Sequence, residues 1–138
     1  MEQVFEKDLA TPISEVYDFD GYTIFLSKDN IMQLKFKPKF HGEEKDARNM
    51  IDVFRKIMKG EKCLALVIYQ EDNMFTKEAR EYIATDEVGE VVKADALIIT
   101  GLPMKLIGNF YLQINKPKRP TRMFTKPEDG LKWLQQFK

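Results

Sequence analysis

Between Leu102 and Lys126 the chain carries Lys105, Lys116, Lys118, Arg119, Arg122 and Lys126 but not one Asp or Glu. Cations gathered without carboxylates suit an anion, an acidic partner or a lipid headgroup, and Lys105, Lys116, Lys118, Arg119 and Arg122 are the candidate contacts. Pro117 and Pro120 restrict the backbone around Lys118 and Arg119, which lowers the ordering cost of binding there. The plainer reading is a solvated rim. It would be balanced by the preceding stretch, where Glu71, Asp72, Glu78, Glu81, Asp86, Glu87, Glu90 and Asp95 outweigh Lys77, Arg80 and Lys93. Thr100-Gly101 ahead of a helix start can offer backbone N–H groups to an anion. Neither a Walker pattern nor the spaced glycines of a dinucleotide site accompanies it.

Thr76 is the other candidate. Its hydroxyl stands at a predicted helix start, where the plain role is an N-cap contributing about 1 kcal/mol. A phospho-acceptor role is the alternative, opposed by the nearby Glu71, Asp72 and Glu78 and partly offset by the helix N-terminus. His41, the only histidine, precedes a glycine in a predicted loop, and Cys63, the only cysteine, begins an apolar run. No Cys/His cluster has metal-ligand spacing, and no pair of carboxylates is placed on facing elements for acid–base work. The expectation is therefore a protein that is not an enzyme and has no metal or cofactor. Basic residues without a motif imply only salt-sensitive attraction to nucleic acid, so no specific nucleic-acid role is expected.

The 138 residues suit one domain, and 22 basic against 22 acidic residues leave no net pull toward any polyanion. A lone cysteine forms no internal disulfide, and the N-terminus lacks the basic start and apolar region of a signal peptide, so a cytoplasmic location is expected. The longest apolar run, Cys63 to Tyr69, is strand-sized rather than membrane-sized. Residues 1–12 read as a loose terminus and 13–138 as a single domain. An apolar share of 43% with ten Phe suggests some exposed apolar surface on the N-terminal hairpin, able to support a homodimer.

The elements that must position these residues follow from period and punctuation. Tyr22–Ser27 and Ile31–Lys37 form a hairpin across Lys28-Asp29-Asn30, with Ile13–Phe19 as a short edge strand. Glu43–Lys59 has Ala47, Met50, Ile51, Phe54, Ile57 and Met58 at helical spacing, with acids first, bases last and Gly60 as the stop. Cys63–Tyr69 reads as a central strand, adjacent and parallel to Ala96–Thr100. Between them Thr76 opens a helix burying Ala79, Tyr82 and Ile83. That helix either continues through Val88, Val91 and Val92 or restarts at Thr85. Pro103 opens a helix to about Ile114 with Ile107, Phe110, Tyr111 and Ile114 on its apolar face. Thr121–Phe124 reads as a strand, and Thr125 to Glu128 as a capping box for a last helix carrying Leu131, Leu134 and Phe137 beside Trp133.

The stretch Ile98–Phe137 resembles a known group. The resemblance is carried by Leu106-Ile107-Gly108-Asn109-Phe110-Tyr111-Leu112, the Asn115-Lys116-Pro117 break, Pro120-Thr121-Arg122-Met123-Phe124-Thr125 and Leu131-Lys132-Trp133-Leu134. It is similar to the uncharacterised bacterial STAS/SEC14-like, or SpoIIAA-like, domains from about Val16 onward. This resemblance implies an α/β sandwich with a mixed four- to five-stranded sheet and helices packed on one side. It also implies a non-enzymatic interaction or regulatory domain with a protein partner or small ligand. In the wider family a phosphorylated Ser opens the helix after the central strand. Here Met74-Phe75-Thr76-Lys77 holds that place without an Asp-Ser-Ser-Gly motif. The SEC14 side implies a carrier or sensor of a small apolar, lipid-like or anionic ligand, with Phe110, Tyr111, Phe124 and Trp133 either lining its cavity or simply filling a core.

Overall fold

The continuous apolar run Cys63–Ile68 lies mid-sheet, as a strand covered on both faces must. The computed structural model describes residues 11–138. In chain order its elements are β1 (Tyr17–Asp18), β2 (Tyr22–Leu26), β3 (Met32–Phe36), β4 (His41–Gly42), α1 (Glu44–Met58), β5 (Cys63–Ile68) and β6 (Met74–Phe75). There follow α2 (Lys77–Ile83), α3 (Asp86–Gly89), β7 (Val92–Ile98), α4 (Leu102–Phe110), a π-helical turn Tyr111–Asn115, β8 (Thr121–Phe124) and α5 (Pro127–Leu134), ending in a 3₁₀ turn.

The main sheet has six strands in the order β1-β2-β3-β5-β7-β8. The sequence reading expected four or five. The two-residue β1 and the four-residue β8 complete the edges. The β1-β2-β3 portion is antiparallel, and β3-β5-β7-β8 is parallel. Leu66 stands opposite both Gln33 and Ala96, so the two apolar runs are adjacent parallel strands as expected. The β4–β6 pair forms a small separate parallel ladder.

Helices cover both faces, which corrects the one-sided packing. On one face Cys63, Ala65, Val67, Leu97 and Ile99 pack with residues of α1, α2, α3 and α4. On the other, Leu64, Leu66, Ala94, Ala96 and Ile98 pack against Leu131 and Leu134 of α5. Two glycines allow close approach. A Cβ on Gly130 would meet Ile98 Cδ1 at 2.8 Å, and one on Gly108 would collide with Met123 Sδ.

Local chemistry explains most boundaries. Glu43 N–H donates to Asp46 Oδ2 (2.8 Å) at the start of α1, and Lys59 (φ 52°) and Gly60 (φ 93°) turn the chain out of it. Asn30 takes the left-handed conformation in the hairpin turn. Thr85 starts α3 as a separate helix, its hydroxyl accepting from Val88 N–H. Three sequence readings change. Strand β7 begins at Val92 rather than Ala96. Helix α5 is entered at Lys126 with Pro127 in its first turn and no side-chain cap bond, so Thr125 forms no capping box. Helix α4 buries Met104 and Gly108, while Phe110 and Ile114 face outward. Residues 1–10 of the expected loose terminus lie outside the described residues. Thr11 accepts from Lys28 N–H, and Pro12 bridges to Ser27.

Candidate functional site

Strand alternation places Asp95 on the same face of β7 as Leu97 and Ile99, under the helices. A carboxylate buried there requires a partner. It finds one in Arg119, just after the Pro117-Lys118 loop. Arg119 Nη2 donates to Asp95 Oδ2 at 3.0 Å, and the side chains are only 4% and 7% exposed. Thr121 Oγ1–H donates to Asp95 Oδ1 (2.6 Å), and Arg119 Nη1 donates to Ile83 O at the end of α2 (2.7 Å). Burial opposes the Arg119 charge, but Asp95 and Tyr111 outweigh it and raise its pKa.

Beside this pair lies a cavity of about 80 Å³ between the sheet and the helices. Its walls are mostly apolar, including Leu34, Met50, Ile51, Phe54, Val67 and Leu97, while Tyr69, Arg80, Asp95, Tyr111 and Arg119 contribute the polar groups. Tyr111 enters from the π-helical turn. Among the described residues Arg80 Nε, Arg119 Nε, the Tyr111 hydroxyl and Asn115 Oδ1 are buried without a well-formed hydrogen bond, and of these Arg119 and Tyr111 lie against one another. Burial raises the Tyr69 and Tyr111 phenols above their ordinary pKa, so both remain protonated at neutral pH.

The basic candidates do not gather into one surface. Arg119 is a buried ion-pair partner. Lys105 is half-buried on α4, and Lys116 and Lys118 are exposed after the π-helical turn. Arg122 pairs opposite Ala96 on β8, which places it on the sheet face that packs with α5. Asp95, assigned by the sequence reading to an acidic rim, is buried. Of the aromatic candidates only Tyr111 lines the cavity. Phe110 is 49% exposed, while Phe124 and Trp133 pack beside α5. The exposed apolar surface expected on the hairpin lies elsewhere. Leu102, Leu106, Phe110 and Ile114 form an outward stripe at four-residue intervals.

The family model of DUF7793, a domain of unknown function, matches residues 24–138. The chain belongs to this family. A search of curated proteins finds no match. Among solved structures, the DUF7793 chain is similar to an uncharacterized protein of the DUF3478 family with a SpoIIAA-like fold from Shewanella loihica PV-4. The TM-score is 0.61 at 17% identity, covering 88% of this chain and 99% of that one. This likeness shows the fold, so the DUF7793 domain is α/β and SpoIIAA-like. No helix among the described residues is long and apolar enough to cross a membrane.

Thr76 caps α2 in the DUF7793 domain, its exposed hydroxyl accepting from Ala79 N–H at 3.1 Å. Cys63 is buried beneath the helices, and burial, reinforced by the Asp95 charge, pushes its thiol from 9.0 up to about 12. The unfolded chain releases this proton first. Stability from this thiol is therefore full below pH 9.0 and declines as pH rises toward about 12. Titrating the urea midpoint should show that decline above pH 9, and iodoacetamide at pH 8 should label Cys63 only after unfolding. Rapid labelling of the native protein would contradict this burial.

Proposed function

We propose that the DUF7793 domain is a non-enzymatic carrier or sensor that holds a small apolar ligand between its sheet and helices. The observation that carries this reading is the apolar cavity whose lining residues Arg80, Arg119 and Tyr111 each leave a buried polar atom without a well-formed hydrogen bond. A core built only for stability closes such space and satisfies such groups. Ligand pockets combine mostly apolar walls with a few orienting polar groups, which is the composition here. Helix α4 forms part of the roof through Met104, Ile107 and Gly108, so an occupant would brace the element that carries the exposed stripe.

That stripe supports a second reading, an interaction or regulatory domain. Leu102, Leu106, Phe110 and Ile114 would meet an apolar protein surface, and Lys105, Lys116 and Lys118 nearby favour an acidic partner over a second copy of this chain. The two readings combine if occupancy alters how α4 is presented.

Native mass spectrometry of the full chain purified from its source tests the ligand reading. The wild type should retain a small molecule. Ala65→Leu, which grows a side chain into the cavity from the central strand, should fold and retain none. A wild type that carries nothing, and whose melting temperature no short-chain alcohol or acid raises, would overturn the reading.

A further inference from the structure

The polar groups around the cavity are unequal in charge. Asp95 is neutralised by Arg119 at 3.0 Å. Arg80, on α2, has no carboxylate partner among the described residues. Its Nη1 donates to Phe75 O (2.6 Å), and its guanidinium lies 5.5 Å from the Phe110 ring centroid. Arg80 is part-buried, and its positive charge is the one at the site without an ion-pair partner. Arg80 Nε–H, Arg119 Nε–H and the Tyr111 hydroxyl lack a well-formed hydrogen bond, and the Arg119 and Tyr111 side chains lie against one another. Arg119 and Tyr111 are both about nine-tenths buried. Arg119 anchors to Ile83 O, one turn beyond Arg80 on α2, and Phe110 beneath the Arg80 guanidinium directly precedes Tyr111. All three groups thus sit along the seam where α2 meets the end of α4.

Resting on the cavity reading above, we infer that the occupant is a short aliphatic monocarboxylate, its carboxylate received by Arg80 and by Tyr111 beside Arg119, and its carbon chain lying among Ile51, Val67 and Leu97. One uncompensated cation matches one negative charge. With Arg119 against the Tyr111 oxygen, Arg80 Nε–H and the Tyr111 O–H are two donors for a two-oxygen head, whereas a phosphate dianion would need more charge and more donors. Size limits the tail. A dry cavity of about 150 Å³ admits the six carbons of benzene, so the 80 Å³ here suits a tail of about three or four carbons, with the carboxylate head on the polar groups beside it, before the walls adjust.

Calorimetric titration of the full chain with pentanoate, 1-pentanol and inorganic phosphate tests the assignment. Pentanoate should bind at least about tenfold more tightly than pentanol, as charge-assisted bonds to a buried head require, and phosphate should bind more weakly than pentanoate. Tyr111→Phe removes one hydroxyl from the cavity lining and should weaken pentanoate several-fold while leaving pentanol unchanged. Arg80→Met should bring the two affinities together. Pentanol binding as tightly as pentanoate would overturn the carboxylate while leaving the apolar cavity reading intact. Phosphate binding as tightly as pentanoate would overturn it in favour of a simple anion site. Binding of none of the three would remove both readings together.

Discussion

Leu66→Asp is expected to unfold the domain. Leu66 is fully buried on the α5 face of β5, between Gln33 of β3 and Ala96 of β7. An aspartate there loses the leucine packing and either buries an unpaired charge or takes up a proton to avoid doing so. The combined cost should exceed about 4 kcal/mol, against a total stability of roughly 5–15 kcal/mol for domains of this kind. Circular dichroism and the urea midpoint give the result directly. Lys93→Ser, at an exposed position of β7, is the control and should shift stability by no more than about 0.5 kcal/mol. A Leu66→Asp protein that melts with the wild type would mean that β5 is not the centre of the sheet.

The second large effect is at the buried ion pair. Arg119→Met leaves the Asp95 carboxylate unpaired beneath the helices, and Asp95→Leu leaves the Arg119 guanidinium in the same position. Each single change should cost about 3–5 kcal/mol, because the remaining charge stays buried without compensation. The double variant should recover most of that loss, since an apolar pair of similar volume carries no desolvation penalty. Urea midpoints around the full double-mutant cycle measure the coupling. Single variants within about 0.5 kcal/mol of the wild type would show that the pair is open to water.

The layout of the sheet was legible because its signals are local. Cys63–Ile68 is apolar without interruption, the hairpin has Asn30 at its turn, and α1 has acids, a three-and-four apolar stripe and a glycine in sequence. Which side each helix covers was not legible. Leu131 and Leu134 say that α5 buries a face, and nothing in that spacing says that it crosses to the side opposite α1. The Asp95–Arg119 pair was hidden for a related reason. The two residues are 24 positions apart, and each falls in a stretch whose average charge marks it as surface. Reading Asp95 as rim also shortened β7 at its start. The outward stripe could have been found from Leu102, Leu106, Phe110 and Ile114 alone, but Phe110 and Ile114 were placed on the buried face with Ile107 and Tyr111. A helix with apolar residues on two sides does not announce which side is covered. The cavity was the least legible feature. It is what remains after the side chains of β3, β5, β6, β7, α1 to α4 and the π-helical turn pack, a quantity no composition or period encodes.

Methyl-resolved NMR of the full chain titrated with pentanoate tests the central claim most directly, because it separates the cavity from the stripe in one spectrum. The account predicts saturable shifts at Ile51, Val67, Leu97 and Ile99, whose methyl groups line the cavity. Leu102, Leu106 and Ile114 on the outer face should shift far less. Shifts confined to those three exposed residues, or no shift at any methyl, would contradict it.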